Sequence, residues 1–429
     1  MRPPIPSRPA DNHKRKPLIT NQGVTPFMFE KLRLAIHYHI EAFVDGDKIF
    51  YPFYYGRWVD SLAPSFKEIV LLTHTCPKNT ETQYQVRAKN VSVVDLGLKP
   101  PFFLKRVFRY RHYQKLVKRE CHRWDAVGFR VPSPLTIYLY PVMERKPAFF
   151  LLVGNMINVT KTARLTLWKK WILISYWMWD HWKLARIANK GVVFANGYAP
   201  LEEFPSIKDQ KVIFTSSILE EEIVRREDCC TDEKVRLLYV GRFSPEKGAD
   251  TAIEAIKMLR DDGFECKFRL AGTASGEEYE KLKKMVSDNG LENIVEFLGF
   301  VDHRDEMNAL LDGSDIFVIP SRWDCQSRTL WEGMARGLPI IASKGIKSLP
   351  MIFAHKKDLY FVDPDQPSQI ADAVLEIQRD KALRQTLIQS SLRIAHRRTL
   401  EKSAEILVGE LTNSWGETDV QRYSNDRRS

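Results

Sequence analysis

The chain has 429 residues, 44% of them hydrophobic and 28% charged, with a formal net charge of +11. That length exceeds what one core usually fills, so two domains of roughly 200 residues are expected, and no apolar run approaches the roughly 20 residues that a bilayer-crossing helix needs. The basic balance favours an anionic partner, either nucleic acid, a lipid surface or a phosphorylated small molecule, while six cysteines without C-x-x-C spacing indicate neither a zinc site nor a disulfide framework and fit a reducing cytoplasm.

Residues 1–25 open with MRPPIPSRPADNHKRKP, a basic, proline-rich stretch without the apolar centre of a signal peptide, and are expected to be disordered. From 26 to 230 the strand candidates are LRLAIHYHI, EIVLLTHT, VSVVDLG, AVGFRVPS, AFFLLVGN, GVVFAN and VIFTSS. Asp45-Gly46-Asp47 has the spacing of a metal-binding Asp-x-Asp, but Asp-Gly is ordinary tight-turn chemistry, so a turn is expected. Residues 164–190 collect tryptophans with lysines at the edges, a pattern suited either to a helix packed on the first sheet or to an anionic membrane surface. A boundary is expected near 228–234, DCCTDEK.

From 231 to 395 strand and helix alternate cleanly. VRLLYVGRF, CKFRLAGT, NIVEFLGF, DIFVIPS and LPIIAS read as strands, with helices over 248–262 and 276–289 between them. This order implies parallel strands in a doubly wound sheet, whose ligands bind beyond the strands' carboxyl ends. The remaining residues, 396–429, read as a helix and a polar tail.

VGRFSPEKG places Gly241, Arg242, Lys247 and Gly248 between a buried strand and a helix start, where amides and fixed positive charge suit an anion. It is neither a Walker loop nor a dinucleotide fingerprint. In SRWDCQSRTLWEGMARGLPIIAS, Asp324 falls in the turn after a buried strand and Glu332 within the next helix, both able to face one crevice. A carboxylate there suits the paired hydroxyls of a ribose, and the amides of Ser327 to Thr329 suit a diphosphate. Read separately, Asp324 is a helix cap and Glu332 a solvated acid.

VGRFSPEKG, FRLAGTASGEEYEKL, FLGFV, DIFVIPS, WEGMARGLPIIAS and FVDPDQPSQIADAV in this order resemble the nucleotide-sugar-binding domain of glycosyltransferase family 4, over about 235–395. The resemblance implies the GT-B fold: two Rossmann-like α/β domains, each a doubly wound parallel sheet, facing a central cleft, with the acceptor held by the N-terminal one. It also implies retaining transfer from a nucleotide diphosphate sugar, UDP or GDP by the family's habit, to a glycan or lipid-linked acceptor, and the missing metal-ligand cluster adds the expectation that transfer is metal-independent.

Carried over by position, Arg242 and Lys247 match the pyrophosphate ligands, Glu332 the ribose ligand and Asp324 the acid that contacts the transferred sugar. Gly241, Gly272, Phe300, Gln326, Ser327, Arg328 and Thr329 surround the same donor. Asp324 is one methylene shorter than the family's glutamate, and Cys325, Gln326 and Ser327 replace its Gly-Phe-Gly, while SRTL resembles the PRTL of a subgroup that builds bacterial polysaccharides. Asn155 stands where the family has a catalytic His or Asp, and Arg130 and Gly46 are acceptor-side candidates. No metal ligand set is found. A non-catalytic sugar-nucleotide or glycan binder is the competing class; nucleic acid is disfavoured by the absence of a zinc finger, basic zipper or aromatic RNA motif.

Overall fold

The computed structural model describes residues 29–77, 84–101, 103–162, 165–273, 276–301, 304–324 and 328–425. The disorder expected over 1–25 and the donor candidates Gln326 and Ser327 lie outside the described residues.

The first sheet is built from β1 (Arg33–His37), β2 (Ala42–Asp45), β3 (Lys48–Tyr51), β4 (Glu68–Cys76), β5 (Tyr84–Gln85), β6 (Val91–Leu98), β7 (Ala126–Val131), β8 (Ala148–Leu152), β9 (Val192–Asn196) and β10 (Gln210–Ile213). Its order is β10-β9-β8-β7-β1-β4-β2-β3-β5, with β6 also on β4. The pairs that β1 and β7 to β10 make are parallel. In β8, AFFLL is buried throughout, as a strand covered on both faces must be.

One part of this sheet departs from the expected parallel pattern. The Asp45-Gly46-Asp47 turn closes an antiparallel hairpin in which Asp45 pairs Lys48, and β5 extends it antiparallel on β3. Gly46 takes a φ of 57°, as the first central residue of a glycine-first two-residue hairpin turn does. These strands are short, with exposed residues at the turn, so continuous apolar character could not reveal them.

The second sheet contains β11 (Val235–Val240), β12 (Cys266–Ala271), β13 (Val295–Gly299), β14 (Ile316–Ile319), β15 (Ile340–Ser343) and β16 (Tyr360–Val362), in the order β13-β12-β11-β14-β15-β16 and parallel throughout. Cys229 and Cys230 already lie in its core, with sulfur atoms 3.8 Å apart and no disulfide. The chain order reverses at β11, between β12 and β14, and at β1, between β4 and β7, so each sheet has a switch-point crevice at its carboxyl end.

The C-terminal helix Leu400–Asn425 returns to the first sheet. Leu400, Ala404, Leu407, Leu411 and Trp415 recur at helical spacing and join the core that holds β1, with Trp415 5.6 Å from the Phe29 ring. The side chains of the expected polar tail lie outside the described residues.

Candidate functional site

At the carboxyl end of β11 the backbone itself makes room. A Cβ on Gly272 would lie 2.0 Å from the Gly241 carbonyl oxygen, and one on Gly248, at a φ of 69°, would lie 2.3 Å from that of Pro320. Glycine therefore lets three loops converge: those after β11, β12 and β14. Arg322 fastens the first to the last, donating to both carboxylate oxygens of Asp250 at 2.9 and 2.7 Å, while its backbone N–H reaches the Glu246 carbonyl at 2.9 Å.

The result is a cleft of about 510 Å³, within the usual range for small-ligand sites. Gly241, Arg242, Lys247, Gly272, Phe300, Asp324, Arg328 and Thr329, all candidates from the sequence, line it together. Tyr239, Val301, Met307 and Ser321 line it too and carried no local signal. Phe300 is 70% exposed, a flat face of the kind on which a planar base packs.

Two groups assigned separate roles meet each other. Lys247 Nζ lies 2.6 Å from Asp324 Oδ2, with the side chains only 18% and 14% exposed. The ammonium keeps two further N–H donors, so it can serve an anion while holding the acid. Arg242 is 72% exposed and 3.4 Å from Glu246, a contact that water screens, leaving its guanidinium available to a ligand.

Glu332 does not line the cleft. It accepts from Ser217 Oγ at 3.0 Å and pairs with Arg304 at 3.0 Å. Arg304 in turn reaches Glu222 at 2.8 Å, and Glu222 accepts from Arg57 of the helix Phe53–Leu62 at 2.7 Å. Burial opposes charge in this group, yet Glu332 and Glu222 hold the Arg304 guanidinium above its ordinary value, and Arg304 and Arg57 hold Glu222 below. The ion pairs of Arg57 with Glu222 and of Arg304 with Glu222 and Glu332 clasp the two halves of the chain. A single charged residue in a first helical turn reads as solvated, so Arg304 was missed.

The other three candidates also lie outside the cleft's lining. Asn155 is buried after β8, where its Oδ1 accepts from the Ile157 N–H at 2.9 Å and caps a helix. Gly46 is the exposed tip of the β2–β3 hairpin. Arg130, on β7, is buried with its Cζ 5.1 Å from the rings of Tyr38 and Trp58, and 5.5 and 5.9 Å from those of Tyr55 and Tyr54. Tyr54 joins the regions, since Arg328 stacks on its ring at 4.4 Å.

Among the described residues no three His, Cys, Asp or Glu side chains gather as metal ligands, and no helix is long and apolar enough to cross a membrane.

Residues 221–393 match the family model described as "Glycosyl transferases group 1". Over 166 residues, 39% of the chain, it is 28% identical to an alpha-D-kanosaminyltransferase of Streptomyces kanamyceticus, covering 42% of that protein. Over 156 residues, 35% of the chain, it is 28% identical to the amylovoran biosynthesis glycosyltransferase AmsK of Erwinia amylovora, covering 37% of that protein. The chain thus matches about two fifths of the length of these relatives. Its fold is similar to that of a glycosyltransferase from Rickettsia africae, at a TM-score of 0.67 and 13% identity over 91% of this chain and 100% of the other. It is equally similar to that of Anabaena Alr3699/HepE in complex with UDP, at a TM-score of 0.66 and 15% identity over 89% and 100%. The fold is the GT-B arrangement.

Proposed function

We propose that this chain is a glycosyltransferase that moves a sugar from a nucleotide diphosphate, of uridine or guanosine, to a glycan or lipid-linked acceptor in polysaccharide or glycoconjugate synthesis. One observation carries the reading: Arg242, Lys247 and Arg328 converge with Asp324 on a cleft at the switch point of the second sheet, inside the stretch that matches the glycosyltransferase model. The UDP held by a protein of the same fold supports the choice of ligand.

The chemistry follows from charge. As the nucleoside diphosphate departs, negative charge grows on its phosphates and the sugar becomes oxocarbenium-like. Arg242, Lys247 and Arg328 meet that charge in place, a preorganised contribution of about 3 kcal/mol for one such donor. Phe300 supports the base. The leaving phosphate takes the acceptor's proton, so the reaction retains configuration and needs no carboxylate or imidazole at Asn155. The three cations supply the positive charge that a divalent ion would otherwise bring, which makes the reaction metal-independent. The chain works in the cytoplasm.

The helix Leu167–Ala188 supports a peripheral membrane role. It buries Trp177, Asp180, Leu184, Ala185 and Ala188 against the first domain and exposes Trp168, Trp171, Trp179 and Trp182 beside Lys169, Lys170 and Lys183. Trp171 is 69% exposed, an aromatic surface that interfacial lipid would cover.

A non-catalytic binder is the second reading, favoured by the pairing of Asp324 with Lys247 and by Asn155 in a structural cap. Purified protein incubated with UDP-, GDP- and ADP-glucose separates the two. The proposal expects nucleoside diphosphate release with at least one donor, undiminished by chelator. Thermal stabilisation by a donor without release would make the chain a binder, and loss on chelation with recovery in manganese would overturn metal independence.

A further inference from the structure

The first sheet's own switch-point crevice holds polar groups that no hydrogen bond among the described residues satisfies. His39 follows β1, His74 lies on β4, Lys99 follows β6, Arg106 lies on the helix Phe103–Phe108 and Arg130 on β7. Nε of Arg106, Nε and Nη1 of Arg130, Nδ1 of His39 and Nε2 of His74 are all buried without a hydrogen-bond partner. The groups share one field: His39 feels Lys99, Arg106 and Arg130, and His74 feels Arg106 and Lys99. Glu41 is the carboxylate that reaches them, and it is paired with Lys99 at 3.1 Å. The aromatic rings around Arg130 offer π faces, while its Nε and Nη1 make no hydrogen bond among the described residues.

The histidines add a second kind of information. A carbonyl only accepts, so the His74 Nδ1 within 3.0 Å of the Gly97 oxygen carries the proton, and its unpartnered Nε2 presents a lone pair. His39 Nδ1 is likewise buried without a partner among the described residues, open to a hydroxyl in either tautomer. Burial keeps both rings neutral, with His39 pushed down to about 4. A ligand that satisfies all of these atoms brings hydroxyl groups to the imidazoles and negative charge to the guanidiniums.

Resting on the glycosyltransferase reading above, we propose that this crevice is the acceptor pocket and that it takes a hydroxyl-bearing anion, a sugar carrying a phosphate or a carboxylate. A buried donor without a partner is costly, and an anion relieves several at once. Tyr54, whose ring lies 5.9 Å from Arg130 Cζ and 4.4 Å from Arg328 Cζ, sets the pocket beside the donor cleft.

Calorimetry on the full chain tests this with glucose 1-phosphate, glucuronate and methyl glucoside, alongside UDP. At least one anionic sugar should bind about tenfold more tightly than the neutral glucoside, the preferred one telling phosphate from carboxylate, and Arg106→Gln should cost about tenfold while leaving UDP affinity intact. Arg106 is partly buried and Arg130 fully, so a variant at Arg106 disturbs the fold less than one at Arg130. Lys247→Ala should weaken UDP and spare the sugar anion. Equal binding of the three sugars, failure of both anions to bind, or loss of the anion in Lys247→Ala but not in Arg106→Gln overturns the pocket. Absent donor turnover with the anion preference intact would sink the activity and leave the anion site standing.

Discussion

The two switch-point crevices carry similar positive charge and differ in what meets it. In the second sheet Lys247 is answered by Asp324 at 2.6 Å and Arg242 projects into water, so the cleft is electrostatically settled before any ligand arrives. In the first, Nε of Arg106, Nε and Nη1 of Arg130, Nδ1 of His39 and Nε2 of His74 are buried without a hydrogen-bond partner among the described residues. A settled cleft keeps its shape at little cost. An unsettled one holds a desolvation penalty that only a ligand removes, and so it discriminates by chemistry as well as by shape.

The sharpest way to break the comparison is to remove the settled charges. Arg242→Ala and Lys247→Ala should each lower transfer rates by about 100- to 1000-fold, as loss of a preorganised donor does, a larger effect than on stability, where Lys247→Ala leaves Asp324 unpaired and Arg242→Ala removes only an exposed contact. Rates and melting curves falling in parallel would make both residues structural. Arg304→Ala should come next. It leaves Glu332 without its ion partner and Glu222 with Arg57 alone in a mostly buried clasp, and urea titration should show a loss of about 3 kcal/mol. Glu332→Gln then asks whether that acid serves the clasp or a ribose: weaker donor binding supports the ribose, and lower stability with unchanged donor affinity supports the clasp.

Proton titration probes the first domain. Burial pushes His37 down to about 3 and His39 to about 4, so the folded state binds fewer protons than the unfolded chain below the ordinary histidine value. Their contribution is present near pH 7 and is lost as pH falls from about 6.5 toward those values. Asp180 acts in the opposite sense, because burial raises its carboxyl to about 7. Its protonated form is favoured in the fold, so stability is lost as pH rises from about 4 to 7. Denaturation across pH 4–8 should show the two trends partly offsetting, and Asp180→Asn should steepen the acid loss while flattening the curve between pH 6 and 8. An unchanged profile in that variant would mean Asp180 titrates normally. The smallest effect belongs to the surface: Lys169→Glu with Lys170→Glu should cost about 1 kcal/mol per residue in flotation on anionic vesicles, without altering donor hydrolysis. Wild-type protein indifferent to such vesicles would leave the exposed tryptophans without a lipid role.

Much of the second half was legible because its signals are local. Strand, glycine-bearing loop and helix start follow one another in VGRFSPEKG, and the cleft that results gathers Arg242, Lys247, Asp324, Arg328 and Thr329 as their positions implied. Glu332 was legible as a charged residue on the right helix but not as the partner of Arg304. The hairpin β2–β3 was legible as a turn only, because Phe43 and Ile49 sit in strands too short for a period to emerge. The histidines of the first half gave no signal at all, since nothing in LRLAIHYHI distinguishes a lone pair facing a crevice from one that is bonded.

From its sequence alone this protein is committed to two doubly wound sheets with an anion-binding loop after one buried strand, because apolar runs, glycines and helix starts act over a few neighbouring residues. Which charges answer one another was decided by tertiary structure. Lys247 and Asp324 are 77 residues apart and meet because β11 and β14 are adjacent, while His39 and Arg130 share a crevice because β1 lies beside β7. Strand order sets those encounters, and strand order is a property of the whole packed sheet, where each pairing is chosen by the burial it completes rather than by the residues on either side of it in the chain.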